Sequence, residues 1–543
     1  MNNLRGQRPE TVFNFTPEPA SAMLDRALQR FGSRPALNFL GRRWSYAQLG
    51  RLIDQAAAGL QGLGVANGVN VGLCLPNSPY FVVMYHAILK AGGTVVNFNP
   101  LYTEREIEAQ ARDADVGIMV SLDMAMIQDK IGAIAASGRF RHVIICSLAA
   151  ALPQVKSVLL RLFQAKQLAR VPKGAPYIRF EQLIAGQTKP APVMIDPLRD
   201  IAVLQFTGGT TGTPKAAMLT HANISVNVQQ SLAVMPAIVP GEERFLAVLP
   251  FFHVFAMTAI MNLGLSAGAE LILIPRLEMK SVMKTIYRFR PTVLPGVPTL
   301  FTAISTAAEA AKNADFSFIK FCISGGAPIS AEVLDRFERI SHSVVLEGYG
   351  LSETSPVVAF NRQGAQKHGS VGPAVPGTVI EIRDCENPER VLPQGERGEI
   401  CVRGPQVMLG YYHQPEETAN VFINGMLRTG DMGYLDEDGY IFIVDRIKDL
   451  ILCGGYNVYP RVIEEAAYQH PAVQDAIAIA VPDKYRGQAP KLYITLRPGE
   501  NATEAEILKF LAGQLNKIEL PRSLEIRESL PKTLGGTLSN KEL

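Results

Sequence analysis

The chain has 543 residues, too many for one ordinary hydrophobic core, so two or more domains are expected. Hydrophobic residues make up 47% and charged residues 19%, a globular balance; 53 Lys and Arg against 50 Asp and Glu leave a net charge of +3, too even to argue for a nucleic-acid partner. Six cysteines (Cys74, Cys146, Cys322, Cys385, Cys401, Cys453) form no CxxC pair and sit mostly in apolar runs, which reads as core thiols rather than disulfides or zinc ligands.

The polar stretch Met1 to Glu10 lacks the apolar segment of a signal peptide. From Ser45 a helix is expected: Ser45 and Gln48 make a capping box, and Leu49, Leu52, Ile53, Ala56, Leu60 and Leu63 recur at helical spacing until Gly64. Val69, Val71, Leu73 and Leu75 alternate as a strand. Pro79 to Lys90 reads as a helix, Thr94 to Phe98 as a strand, Glu104 to Ala111 as a helix and Val116 to Ser121 as a strand. Strands alternating with helices predict a parallel, doubly wound sheet.

Residues Val155 to Lys173 break this rhythm. Lys156, Arg161, Lys166, Arg170 and Lys173 are spaced among Val158, Leu159, Leu160, Leu162, Phe163 and Leu168, with no acidic residue. Up to Pro172 the pattern predicts a basic amphipathic helix. A peripheral membrane contact or lipid-entry role and a solvated helix packed on its domain are both open.

Ile201 to Phe206 then reads as a buried strand that feeds Thr207-Gly208-Gly209-Thr210-Thr211-Gly212-Thr213-Pro214-Lys215. Glycines let backbone N–H groups approach an anion, the threonines add hydroxyls, and the lysine adds a mobile positive charge. This is no Walker loop, because Lys215 follows Pro214 and precedes Ala216. Phosphate binding of another kind is expected.

The apolar stretch Phe245 to Ile274 is interrupted by Pro250, His253, Asn262, two glycines and Glu270. It reads as strand, loop, helix and strand of a core rather than a membrane span. A soluble, cytoplasmic protein is expected. Further strand-like runs end at Leu249, Ile274, Ser324 and Glu347. Pro250-Phe-Phe-His-Val-Phe255, Gly325-Gly-Ala-Pro328 and Gly348-Tyr-Gly-Leu-Ser-Glu-Thr354 follow three of them. If these strands are neighbours, the segments face one crevice at the strand ends. After Val371, short alternating runs (Thr378 to Arg383, Glu399 to Arg403, Tyr440 to Val444) suggest an antiparallel subdomain. Beyond the charged break Asp445 to Asp449 a small α/β domain is expected, with a helix over Val462 to His470, strands over Gln474 to Val481 and Lys491 to Leu496, and a helix from the Thr503–Glu506 capping box.

Taken in order, the Thr207–Lys215 loop, the His253 segment, Ser324 to Pro328, Tyr349 to Glu353, Thr429-Gly430-Asp431, Asp445-Arg446 and Gly454-Gly455-Tyr456-Asn457-Val458-Tyr459-Pro460 resemble the adenylate-forming superfamily of acyl-CoA synthetases, luciferases and adenylation domains. The likeness covers nearly the whole chain from about Ala20. Gly398 to Tyr411 and Val345 to Thr354 look most like bacterial long-chain fatty acyl-CoA synthetases.

The resemblance implies an α/β fold: a large N-terminal domain, residues 1–445, of doubly wound sheets with a small β-barrel-like subdomain, and a small mobile α/β C-terminal domain, residues 446–543, hinged near Lys448. It implies ATP, Mg²⁺ and CoA, and a fatty acid or other carboxylate activated to an acyl-adenylate and passed to CoA. Thr207, Gly208, Gly209, Thr210, Thr211, Gly212 and Lys215 would hold phosphates, and Glu353 would hold Mg²⁺ with Ser352 near the α-phosphate. Gly325, Gly326, Ala327, Gly348, Tyr349 and Gly350 would surround adenine, with Gly325 and Gly326 leaving space for it and for the acyl chain. Asp431, joined by Arg446, would accept from the ribose. His253 would border the carboxylate, and Gly454, Gly455 and Asn457 would face the site during thioester formation.

Two departures are visible. Ala216 stands where most relatives have Gly, and Thr537 stands where the pattern Leu-Pro-Lys-Thr-x-x-Gly-Lys ends in its lysine. An impaired adenylation step is expected from Thr537. Fatty acyl-CoA synthesis leads; an aryl- or medium-chain acid–CoA ligase, an acyl-AMP ligase, and a nucleotide- or acyl-adenylate-binding protein with little turnover are the alternatives.

Overall fold

The computed structural model describes residues 15–207, 214–311, 314–453, 456–533, 537–540 and 543. Two large sheets, each almost wholly parallel, make up the first two-thirds of the chain. The first runs, in spatial order, Tyr177–Arg179, His142–Cys146, Ile118–Leu122, Asn70–Cys74, Thr94–Asn97, Ile201–Thr207 and Lys215–Thr220; only its last pair is antiparallel. The second runs Val357–Phe360, Val344–Gly350, Phe321–Ser324, Val293–Gly296, Arg244–Ala247, Glu270–Leu273, Pro35–Phe39 and Arg42–Ser45, antiparallel only at its two edges.

The local signals act as physics requires. Ser45 Oγ accepts from Gln48 N while Gln48 Oε1 accepts from Ser45 N, opening the helix Tyr46–Gly62. Ser78 caps Pro79–Lys90, whose residues are all buried except Lys90. That helix is apolar nearly all round, as a helix enclosed by protein must be. The stretch from Phe245 is also internal: Val254–Ala256, Met257–Asn262 and Leu263–Ser266 form one buried helical run between two strands, its middle part wound as a π-helix. Among the described residues, no helix is long and apolar enough to cross a membrane.

A third sheet, antiparallel, orders Val379–Arg383, Gly398–Arg403, Met426–Leu435 and Phe422–Ile423, with Ile441–Arg446 pairing the later part of Met426–Leu435 on the same edge as Phe422–Ile423. The fourth is built from Ile451–Cys453, Tyr456–Val458, Val473–Asp483, Gly487–Leu496 and Ser523–Ile526 and carries the helices Pro460–Tyr468 and Glu504–Ala512. It has its own apolar core around Ile451, Ile463, Val473, Leu492, Ile494, Ile507 and Leu511. All six cysteines are free, and all but Cys385 are buried.

Three expectations change. The strand Ile201–Thr207 lies in a different sheet from Arg244–Ala247, Phe321–Ser324 and Val344–Gly350, so the crevice forms between two sheets and not along one. The strand Val293–Gly296, unmarked in the sequence because Pro295 interrupts it, separates Phe321–Ser324 from Arg244–Ala247. The basic helix is shorter than its pattern, ending at Phe163 instead of reaching Pro172.

Candidate functional site

The segments singled out in the sequence do converge. A cavity of about 520 Å³ is lined by Thr207 and Lys215 from the first sheet and by His253, Gly325, Tyr349, Ser352 and Glu353 from the second. Buried amides hold the two sheets in register here. Asn77 Nδ2 donates to Ala247 O (3.0 Å) and Leu249 O (2.8 Å), and its Oδ1 accepts from Phe251 N (2.8 Å). Gln205, inside the Ile201–Thr207 strand, donates from Nε2 to Phe252 O at 3.0 Å. These two residues fix the turn that presents His253. A polar residue in an otherwise apolar strand was the available sequence signal for Gln205. His253 opens onto the cavity, and the walls around it lower its pKa from the ordinary imidazole value, which leaves it neutral near pH 7.

Lys215 is not the mobile charge expected from its loop. It begins the strand Lys215–Thr220, opposite Thr207, and is 9% exposed. Its Nζ is ion-paired with Glu417 and lies 5.3 Å from the centre of the Tyr411 ring. Tyr411 OH in turn donates to Glu353 Oε1 at 2.8 Å. A cation, a phenol and two carboxylates therefore form one chain along the cavity wall. Tyr411 ended the Gly398–Tyr411 run noted in the sequence, but nothing local marked Glu417. Ala216 sits within the same strand pair, buried opposite Phe206, so no glycine is required there.

On the other wall Tyr349 OH donates to Asp431 Oδ2 at 2.6 Å, and Arg446 Nε lies 2.9 Å from Asp431 Oδ1. Asp431 is 3% exposed. Burial raises its pKa, while Arg446 and the Tyr349 hydrogen bond oppose that rise. Asp431 is no turn residue: it lies within the long strand Met426–Leu435, directly opposite Arg446. Gly348 and Gly350 are glycines for packing. A Cβ on Gly350 would fall 1.9 Å from Pro356 O, and one on Gly348 would meet the Phe360 ring at 2.9 Å. At Gly326 the backbone φ is +79°, the left-handed region that favours glycine, and a Cβ there would meet nothing nearer than 3.8 Å.

A second cavity, about 530 Å³, lies between the C-terminal sheet and the same wall. It shares Gly326, Gly348, Tyr349, Gly350 and Arg446 with the first and adds Ala327, Glu347, Asp431, Lys448, Thr533 and Thr537. Thr537 Oγ1 is 2.6 Å from Thr533 Oγ1, which also accepts from Thr537 N at 3.2 Å. Lys532 Nζ is ion-paired with Asp475 at 3.2 Å, and Asp475 lines the same cavity as Thr537. Lys448 stands exposed in the single turn Ile447–Asp449. Asn457 lies exposed in Tyr456–Val458 and lines neither cavity. Gly208, Gly209, Thr210, Thr211, Gly212, Gly454 and Gly455 lie outside the described residues.

Glu347, on the strand below Tyr349, is 7% exposed, and burial pushes its carboxyl up to about 7. The Arg461 charge across the domain boundary opposes this and Glu465 adds to it. The folded pKa thus exceeds the ordinary 4.5, so the folded chain holds a proton that the unfolded chain releases. That stabilisation is complete below the unfolded pKa and is lost as pH rises through the folded one. Thermal stability is expected to fall between about pH 4.5 and 7 by an amount on the order of 3 kcal/mol from this group alone. Glu347→Gln should flatten the profile of melting temperature against pH in that window, and an unchanged slope would assign it to other groups.

The profile of the AMP-binding enzyme family matches residues 24–412, and that of the AMP-binding enzyme C-terminal domain matches residues 462–536. A protein of Bacillus subtilis (strain 168) named long-chain-fatty-acid–CoA ligase is 40% identical over 527 residues, covering 96% of this chain and 93% of that protein. One of the same name from Escherichia coli O157:H7 is 36% identical over 531 residues, with the same coverage of both chains. Among solved structures, ATP-bound MatB from Rhodopseudomonas palustris superposes with a TM-score of 0.82 at 28% identity, covering 95% of this chain and 97% of that one. The anthranilate CoA ligase AuaEII in complex with anthranoyl-AMP gives 0.85 at 25% identity, covering 98% and 97%.

Proposed function

The chain belongs to the AMP-binding enzyme family, and we propose that it is an ATP-dependent ligase that joins a long-chain fatty acid to CoA. The observation that carries the reading is the pair of cavities meeting at one wall, with the Lys215–Tyr411–Glu353 chain on one side and Tyr349–Asp431–Arg446 on the other. In the first half-reaction a fatty carboxylate oxygen attacks the ATP α-phosphorus and pyrophosphate leaves. In the second, the CoA thiolate attacks the acyl carbon and AMP leaves. Neither step calls for a protein nucleophile; both depend on placement and on charge held where charge develops.

In this reading Lys215, with Thr207 beside it, neutralises the outgoing phosphates, and Glu417 and Tyr411 keep its ammonium on the cavity wall. Glu353 offers a half-buried carboxylate at the same place. One carboxylate completed by phosphate oxygens is the donor set a hard cation prefers, so the residues fit Mg²⁺. When bound, Mg²⁺ supplies charge neutralisation at the phosphates. Asp431 takes the ribose hydroxyls, with Arg446 opposing the rise in its pKa that burial causes. Neutral His253 borders the acid without placing a second charge against it. The 1–445 and 446–543 division, with a pivot at Lys448, belongs to the same proposal. So does a cytoplasmic location with peripheral membrane contact.

Thr537 favours a second form of this reading, in which adenylation is slow and the transfer to CoA is not. The test is formation of acyl-CoA and AMP from ATP, Mg²⁺, CoA and straight-chain acids of increasing length. Turnover that rises with chain length is expected. Turnover confined to aryl or short acids would overturn the fatty-acid assignment.

A further inference from the structure

The helix Gln154–Phe163 is mounted the wrong way round for a soluble surface. Val155, Val158, Leu159 and Leu162 recur at the spacing of one helical face, and that face points to solvent: they are 73%, 55%, 48% and 69% exposed. Phe163, next to them at the helix end, is 78% exposed. The side turned to the protein carries the buried Leu160, and the exposed Lys156 donates from Nζ to Leu40 O at 2.8 Å. A solvated helix packed on its domain would show the reverse.

The surroundings are basic. No acidic residue occurs between Asp129 and Glu181, whereas Lys156, Arg161, Lys166, Arg170, Lys173 and Arg179 all do. A neighbouring helix, Met279–Phe289, adds Lys284 and Arg288, close enough that their charges join burial in lowering the pKa of Lys156. Arg42 reaches the same region through Ala150 O. Two copies of this face brought together would set these cations against one another. An anionic surface is complementary to both the charge and the apolar stripe.

We propose that this face is a docking surface for an anionic lipid bilayer, with Val155, Val158, Leu159, Leu162 and Phe163 entering the headgroup–acyl boundary and the flanking cations held at the headgroups. Docking itself does not depend on the fatty-acid reading of the site; that reading gives it a purpose, since a long-chain acid partitions into the bilayer and would be met there.

The test is sedimentation of the full chain with vesicles of phosphatidylcholine alone and of phosphatidylcholine mixed with phosphatidylglycerol. Binding to the mixed vesicles, weakened by salt, is expected. Each of Arg161→Gln, Lys166→Gln and Arg170→Gln should weaken it about fivefold, and Leu162→Ser with Phe163→Ser about tenfold or more. Because these side chains are exposed, melting temperatures and turnover of a water-soluble acid should match the parent chain. Failure of the parent chain to bind the mixed vesicles, or equal binding by the variants, would overturn the proposal. So would self-association abolished by the serine pair and unaffected by vesicles. Vesicle binding that persists in a preparation without ligase turnover would instead count against the catalytic reading and leave the docking surface standing.

Discussion

Replacing Thr537 with lysine is expected to raise carboxylate-dependent ATP–pyrophosphate exchange about 10²–10³-fold, the effect of roughly 3–4 kcal/mol of placed charge. Thr537 lines the cavity that also reaches Gly326, Tyr349 and Asp431, so an ammonium at that position faces the nucleotide wall. The native residue offers only a hydroxyl, already engaged with Thr533. Conversion of preformed acyl-adenylate and CoA to thioester should change little, which separates a missing charge from a general loss of function. Vigorous exchange by the native chain, with no gain on substitution, would show that another cation does this work.

Glu353→Gln should lower the same exchange by about 10²–10³-fold and leave the fold intact. Glutamine keeps the shape and an oxygen for the Tyr411 hydroxyl to donate to, so the 2.8 Å hydrogen bond has a successor. What disappears is the negative charge that a hard cation needs among phosphate oxygens. The expected signature is a raised Mg²⁺ requirement at unchanged melting temperature. If exchange survives at ordinary Mg²⁺ concentrations, Glu353 is a structural partner of Tyr411 and nothing more.

How much of this was legible in the sequence depended on whether the cause was local. The capping boxes at Ser45 and Thr503 and the apolar period of Pro79–Lys90 act within a few residues, and the elements appear where they predict. The strand carrying Asp431 was hidden because its alternation is broken at Thr429-Gly430, and its formation depends on pairing with Gly398–Arg403 and Ile441–Arg446. Lys215 reads as a free cation because Glu417, its partner, is 202 residues away. Asn77 reaches the His253 turn across a comparable gap of 174 residues. The direction of the apolar stripe on Gln154–Phe163 was equally unreadable. A moment along a helix says that one face is apolar, and only the tertiary mounting says which way it looks.

The register that sets Asp431 against Arg446 has one more consequence. Arg446 is two residues before Lys448, about 7 Å of extended chain at most. If the chain pivots at Lys448 as proposed, the nucleotide wall lies at the hub of the rotation, and the parts of the C-terminal domain farthest from Lys448 lie at its rim. An arc that carries the rim far would scarcely displace the hub. The sugar could then stay gripped by the same carboxylate through both chemical steps, while the groups facing the acyl carbon are exchanged around it.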